Sequence, residues 1–114
     1  MENSNLTVSS YEDYTKLFDA LSHPLRIKVM GILLEKRHYV SELAKVMHMS
    51  RPLLYMHLKK LEDAGIVTSS YEISNSGKTM KFYEAKSFDL HLTSKLLVEL
   101  SKSIPWEISK KSTR

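Results

Sequence analysis

The pattern of residues 40–67 restricts the fold of this chain more than any other stretch. "ELAKVMH" predicts a short amphipathic helix with Ser41 as its N-cap. "HMS" then reads as a three-residue turn, Ser50 caps a second helix over about 51–64, and Gly65 ends that helix. Two short helices joined by such a turn make a helix-turn-helix.

The periodicity changes from helical to extended after Gly65. "IVTSSYEI" and "TMKFYEA" are rich in β-branched and aromatic residues, and "SNSGK" between them is a typical turn sequence. The pattern predicts a β-hairpin over about 66–85, which would make this a winged helix-turn-helix.

Further helices are predicted on both sides of this unit. "YEDYTKLFDALS" at 11–22 has its apolar residues at helical spacing, and "PLRIKVMGILLEK" at 24–36 starts with a proline suited to the first helical turn. Gly31 suggests a close approach by another helix, because glycine costs up to ~1 kcal/mol relative to alanine inside a helix. A last helix is predicted over 88–104.

That last helix has a broader apolar band than one small domain can cover. A second copy of the chain would cover it, so we expect a homodimer joined through the first and last helices. The domain would span 11–104, between a flexible segment 1–10 and a basic tail 105–114. The predicted fold is mainly α with a β-hairpin wing, in the order α-α-α-α-β-β-α. The expected dimer interface residues are Tyr11, Tyr14, Phe18, Leu92, Leu96, Leu100 and Ile104.

Composition restricts the chemistry that the chain can perform. Cysteine is absent, which excludes disulfides, thiolate metal sites and cysteine catalysis and fits a cytoplasmic protein. No Ser/His/Asp set, paired carboxylates or Gly-rich phosphate loop favours an enzyme, and no apolar run is long enough to span a membrane. The net charge of +4 is uneven, with −3 on residues 1–22, +4 on 23–65 and +3 on 66–114. This distribution is compatible with an anionic partner.

Three stretches carry a family resemblance: "LFDALSHPLRIKVMGILLEK", "VSELAKVMHMSRPLLYMHLKKLEDAGIV" and "GKTMKFYE". They are similar to the opening, the signature stretch and the return strand of the wing in the ArsR/SmtB-type winged-helix transcriptional regulators. The resemblance covers about 17–86. It implies a homodimeric regulator, expected to be a repressor, that binds specific double-stranded DNA with the second helix of the helix-turn-helix in the major groove. The resemblance does not identify the effector.

The sequence departs from that family at its metal sites. "YVSELA" has no cysteine where the family carries a thiolate pair, and Asp89 and His91 match only the first half of the carboxylate–histidine site of some members. "ELSKSIPWE" supplies no second half, whereas Zn²⁺ normally takes four ligands. We therefore expect no metal and no other cofactor, with Asp89 serving as the N-cap of the last helix.

The second helix of the helix-turn-helix presents two faces. Leu54, Leu58 and Leu61 recur at i, i+4 and i+7 and should face the core, with His57 as a structural histidine at their edge. The remaining residues of the helix form an outer face. The wing adds lysines beside a small polar tip, which suits either a DNA contact or a solvated turn.

The outer face supplies the candidate DNA contacts. Arg51 can bond guanine O6 and N7 together, and Tyr55 and the two lysines that follow it suit phosphate or sugar. Leu53 and Met56 can touch thymine methyl groups or cover a core edge. The same apolar strip suits the alternative function, a winged helix that binds another protein in a transcription-related assembly. The candidate DNA-binding residues are Ser50, Arg51, Leu53, Tyr55, Met56, Lys59, Lys60, Lys78 and Lys81.

Overall fold

The structure is a computed structural model that describes residues 8–108. Its elements have the predicted mainly α fold with a β-hairpin wing, and one short strand is added to them. Residues 1–7 and 109–114, with most of the predicted N-terminal segment and of the predicted tail, lie outside the described residues. The elements are α1 (Tyr11–Ala20), α2 (Pro24–Glu35), β1 (His38–Tyr39), α3 (Val40–Met47), α4 (Arg51–Asp63), β2 (Val67–Ile73), β3 (Thr79–Ala85) and α5 (Ser94–Ser103).

Local sequence accounts for the turn and for both ends of α4. The Ser50 hydroxyl accepts a hydrogen bond from the backbone N–H of Leu53 at 3.3 Å, so its predicted capping role is confirmed. His48 ends α3 in the left-handed region with φ of 54°. Gly65, with φ of 79°, follows α4 and ends it as predicted.

The start of α3 differs from the prediction. The helix begins at Val40, so Ser41 lies inside its first turn, and Tyr39 occupies the N-cap position without a side-chain hydrogen bond. Val40 is buried, and helical geometry at that position places it in the core with Leu43. Apolar burial therefore sets this helix start in place of a serine cap.

The sheet has three antiparallel strands in the order β1-β3-β2. Its first strand is too short for a sequence signal, and the strand's first residue, His38, is buried opposite Tyr83. The His38 Nδ1 lies 3.0 Å from the carbonyl oxygen of Lys36. Across the hairpin, opposing residues are Val67 and Ala85, Ser69 and Tyr83, Tyr71 and Lys81, and Ile73 and Thr79.

The core lies where the helix-turn-helix meets α1, α2 and the sheet. Each of these elements contributes buried side chains, and α5 contributes none. The helix-turn-helix is thus anchored on its inner side, which leaves its outer side free to define a surface. The largest fully buried side chains are Leu17, Val29, Leu43, Leu54, Leu58, Leu61, Ile66 and Tyr83.

The last helix is shorter than predicted, because it begins at Ser94. The Thr93 hydroxyl accepts a hydrogen bond from the N–H of Leu96 at 3.1 Å, so Thr93 is the N-cap and the role predicted for Asp89 is wrong. The preceding segment is not helical, and its Phe88 and Leu90 pack against the core. Leu92, predicted to lie on the helix, therefore precedes it.

Gly31 does not mark a close helix approach. A Cβ built on this residue meets no atom within 4 Å among its described surroundings, and the position is exposed on α2. The helix contact that glycine suggested is therefore absent from the described part of the chain.

Candidate nucleic-acid interface

The inner face of α4 fixes the orientation of the helix. Leu54, Leu58 and Leu61 are completely buried, and His57 beside them is nearly so, as the leucine spacing predicted. The side chains that point the other way must then face solvent or a partner.

The outer face of α4 combines an exposed arginine with apolar and aromatic side chains. Met56 is 66% exposed, and Leu53 and Tyr55 are 38% and 39% exposed. Arg51 is exposed in the first turn, and its side chain forms no ion pair or hydrogen bond within residues 8–108. Met56 therefore does not cover a core edge, and Leu53 lies at the border of this face.

The two lysines of α4 are engaged within the molecule. Lys59 Nζ lies 3.2 Å from Asp63 Oδ1 on the same helix, and Lys60 Nζ lies 2.9 Å from Asp19 Oδ2 of α1. The hydrogen bond and charge of Lys60 lower the pKa of the Asp19 carboxyl. Exposed ion pairs of this kind contribute little to stability, so either lysine can exchange its carboxylate for a phosphate.

The wing presents its two lysines differently. Lys78 follows the tip and is exposed, in a turn where Ser74 Oγ accepts the Lys78 N–H at 3.1 Å and Gly77 has φ of 86°. Lys81 is only partly exposed, because its ammonium lies among tyrosine rings of β2, β3 and α4. Both lysines were predicted to contact DNA, but in the structure Lys78 is more exposed than Lys81.

Two further polar residues lie beside Ser50 and Arg51 and were missed from the sequence. Lys45 and His48 line a shallow depression at the turn, together with Ser41 near the start of α3. The sign that could have found them is the turn itself, which brings the last turn of α3 next to the first turn of α4. Backbone N–H groups at such a helix start favour anions, so this region suits a phosphate.

Arg26 joins α4 to the two helices before it. Its guanidinium donates to the backbone oxygens of Ala20 at 2.7 Å and Asp19 at 3.1 Å, and its third contact is His57 Nδ1 at 3.3 Å. The His23 ring, which caps α2, lies 4.8 Å from the His57 ring. Burial lowers the pKa of His57, and electrostatic interaction with His23 and Arg26 lowers it further.

The lowered pKa of His57 predicts that the protein loses stability as the solution becomes acidic. The unfolded chain, with an ordinary histidine pKa of about 6.5, takes up the proton more readily than the folded chain. The contribution is therefore complete above about pH 6.5 and is lost as the pH falls through the folded pKa. Melting temperatures from pH 8 to pH 5 should fall, and His57→Gln should flatten the curve. Equal slopes for both proteins would contradict this prediction.

Comparison with known proteins identifies the family. Residues 23–69 match the model of the bacterial regulatory proteins of the arsR family. Over 88 residues the chain is 38% identical to the uncharacterized HTH-type transcriptional regulator MJ0229 of Methanocaldococcus jannaschii, covering 77% of this chain and 92% of the relative. The chain belongs to the ArsR family.

A second curated relative and a solved structure are also similar to this chain. The HTH-type transcriptional repressor SmtB of Mycobacterium tuberculosis is 42% identical over 53 residues, which cover 46% of this chain and 39% of that protein. Reduced HlyU from Vibrio cholerae has the same fold, with a TM-score of 0.57 and 18% identity over 90% of this chain and 92% of that one. This ArsR-family chain is accordingly a DNA-binding transcriptional regulator and not an enzyme.

Residues 8–108 contain neither a cluster of metal-binding side chains nor a membrane-spanning helix. Within residues 8–108 no three His, Asp or Glu side chains come together to hold a metal ion. Asp89 and His91 contact each other at 3.4 Å, and both are exposed. Among these residues, no helix has the length and apolar character needed to cross a membrane.

Proposed function

We propose that the protein is a homodimeric repressor that binds a near-palindromic operator and acts in the cytoplasm. Each α4 helix would enter a major groove, and each wing would lie on the flanking backbone or minor groove. The strongest support is the exposed outer face of α4, where Arg51 is unpaired within the described residues and Met56 is mostly exposed. An unpaired arginine beside exposed apolar side chains is the combination that can bond guanine and contact thymine methyl groups in a major groove.

The roles within this face follow from position. N-terminal residues of a recognition helix reach furthest into the groove, so Arg51 is the proposed reader of guanine. Tyr55 and Lys59 lie one and two turns further along and suit phosphate or sugar, as does Lys60 once it leaves Asp19. Ser50, at the start of the helix, would lie beside a DNA phosphate. Lys78 would contact the DNA backbone near the wing.

The dimer is proposed from α5 and α1. Helix α5 has ten residues, none of them buried, and a helix of that length is marginal without tertiary support. Leu97 and Val98 are each 51% exposed, and Leu96, Leu100 and Ile104 are partly exposed. On α1, the ring centroids of Tyr14 and Phe18 lie 6.0 Å apart with the rings tilted by 44°, both rings reach solvent, and Tyr11 precedes them. A second copy would bury both surfaces, and Leu92 would lie at its margin.

Selection of bound sequences from random duplex DNA tests this function. The expected product is a near-palindrome with half-sites about one helical turn apart, since two-fold protein symmetry imposes it. Affinity for that product should fall steeply with salt, because phosphate contacts release counterions. An asymmetric single site, or binding that ignores salt, would contradict a dimeric repressor.

Met56→Ala tests how the apolar strip is used. Because Met56 is exposed, the free energy of unfolding should change by no more than about 0.5 kcal/mol, the usual range for surface substitutions. The melting temperature should therefore change little. If Met56 touches a thymine methyl group, affinity should fall only for operators that carry thymine at the contacted position. Competition assays with thymine-to-uracil substitutions locate that position, because uracil lacks the methyl group. Unchanged affinity for every operator would support the alternative, a surface that binds another protein.

A further inference from the structure

Three tyrosine rings enclose the ammonium of Lys81. The Lys81 Nζ lies 5.2 Å from the ring centroid of Tyr83, 5.5 Å from that of Tyr55 and 5.6 Å from that of Tyr71. These distances are within the range at which a cation is attracted to an aromatic face. One ammonium therefore contacts the recognition helix through Tyr55 and both wing strands through the other two rings.

The geometry of the wing directs the lysine inward. Lys81 lies directly opposite Tyr71 across the hairpin, and neighbouring side chains on one sheet face contact each other. The Tyr83 ring is buried and lies 6.5 Å from the Tyr55 ring, so it forms the floor of the enclosure. Interaction with Tyr83 raises the pKa of Lys81, so the side chain stays cationic at neutral pH. Lys78, in contrast, is exposed.

Two of these rings belong to surfaces that bind DNA in the proposed function. Tyr55 lies one helical turn after Arg51 on the outer face of α4, and Tyr71 is 68% exposed on the wing. Nearer the base of the hairpin, the Ser69 hydroxyl donates to Glu62 of α4 at 3.3 Å. The Lys81 enclosure is the next contact along the wing towards its tip. Because it lies nearer the tip, it restricts the position of the tip more than the contact at the base does.

We propose that Lys81 is a positioning residue that holds the wing at a fixed angle to the recognition helix by binding Tyr55 and Tyr71 together, and that it does not serve as a phosphate contact. This role rests on the DNA-binding function. It matters for specificity because helix and wing must reach their separate parts of the operator at the same time. A wing released from α4 would still attract DNA by charge but would no longer support one register.

Three variants separate positioning from charge. Lys81→Met keeps the length of the chain and removes the cation, Lys81→Arg keeps a cation that stacks on aromatic rings, and Lys78→Met is the matched wing control. Affinities for the selected operator and for random duplex DNA are measured over a range of salt concentrations. Lys81→Met should reduce affinity for the operator about tenfold and affinity for random DNA only slightly. The dependence of affinity on salt should not change. Lys81→Arg should recover most of the loss.

Lys78→Met should weaken both DNAs alike and reduce the salt slope by about one unit, as expected when a lysine that binds phosphate is removed. If Lys81→Met reduces the slope by the same amount, Lys81 contacts phosphate and the positioning role is wrong. It is also wrong if Lys81→Met changes neither affinity. Tyr71→Leu tests the same contact with little risk of misfolding, because removing an exposed ring should cost little stability. It should reproduce the effect of Lys81→Met on operator affinity. The variant with both substitutions should bind the operator no more weakly than either single variant.

A measurement without DNA keeps this role separate from the function on which it rests. Hydrogen exchange of the β2 amides should accelerate in Lys81→Met and stay near the wild-type rate in Lys81→Arg. Equal exchange in all three proteins would overturn the coupling even if DNA binding were normal. Faster exchange in Lys81→Met, together with a wild-type protein that shows no operator preference, would contradict the DNA-binding function and leave the coupling of wing and helix in place.

Discussion

Replacing Leu96 and Leu100 with glutamate should convert the protein from a homodimer to a monomer. Both leucines lie on the apolar side of α5, a helix without any buried residue in the single chain. Burying a leucine side chain stabilises by about 1.5–3 kcal/mol, and two copies of two leucines act in one dimer. Introducing carboxylates adds a desolvation penalty. The dimer dissociation constant should rise at least about a thousandfold, as measured by sedimentation equilibrium.

A charge-matched variant controls for the altered net charge. Lys95→Gln together with Lys102→Gln also makes the chain two units more negative, and both lysines lie on the opposite, exposed side of α5. This variant should remain dimeric. The glutamate variant should also lose most of its operator affinity while keeping weak binding to random DNA, since only a dimer engages both half-sites. A wild-type protein that is monomeric at tens of micromolar would refute the interface itself.

The helix-turn-helix could be predicted from sequence because its signals are local. A serine before a leucine ladder and a glycine after it describe α4 within one residue of its observed end. The spacing of Leu54, Leu58 and Leu61 also settles which face is buried, and this decides what the outer face contains. Local caps and a single period are enough where an element is long and amphipathic.

Other elements depend on contacts between residues that are distant in the sequence, so local sequence patterns could not predict them. Strand β1 has two residues and exists because β3 pairs with it. The segment before α5 has apolar residues that fit a helix, yet Phe88 and Leu90 pack on the core from a segment that is not helical, and Thr93 caps the helix that follows. In the second case tertiary packing overrode a plausible helical period.

The candidate site shows the same division. Exposure of Arg51 and Met56 follows from helix geometry alone, and their roles on DNA stay predictions. The partners of Lys60 and Lys81 do not follow from spacing, because Asp19 is far away in the sequence and the three tyrosines come from three elements. A count of cations on a predicted face therefore overstates the charge that is free to meet DNA.

Arg51→Ala should be the most damaging single substitution on the DNA-binding surface. Arg51 lies in the first turn of α4, where a recognition helix enters deepest, and it has no ion pair to give up among the described residues. Removing a bidentate contact to guanine costs about 1–3 kcal/mol at each half-site. A dimer makes that contact twice, so operator affinity should fall roughly 30-fold or more.

Random duplex DNA supplies the internal reference for this prediction, because a base contact contributes little there. Arg51→Lys should recover only part of the loss, since an ammonium cannot bond O6 and N7 in the planar geometry of a guanidinium. Lys59→Ala is the matched control on the same helix. It should weaken operator and random DNA alike and reduce the salt slope by about one unit for each phosphate that the lysine no longer binds. If Arg51→Ala behaves in the same way as Lys59→Ala, Arg51 binds phosphate, and the operator must be read by the apolar strip beside it.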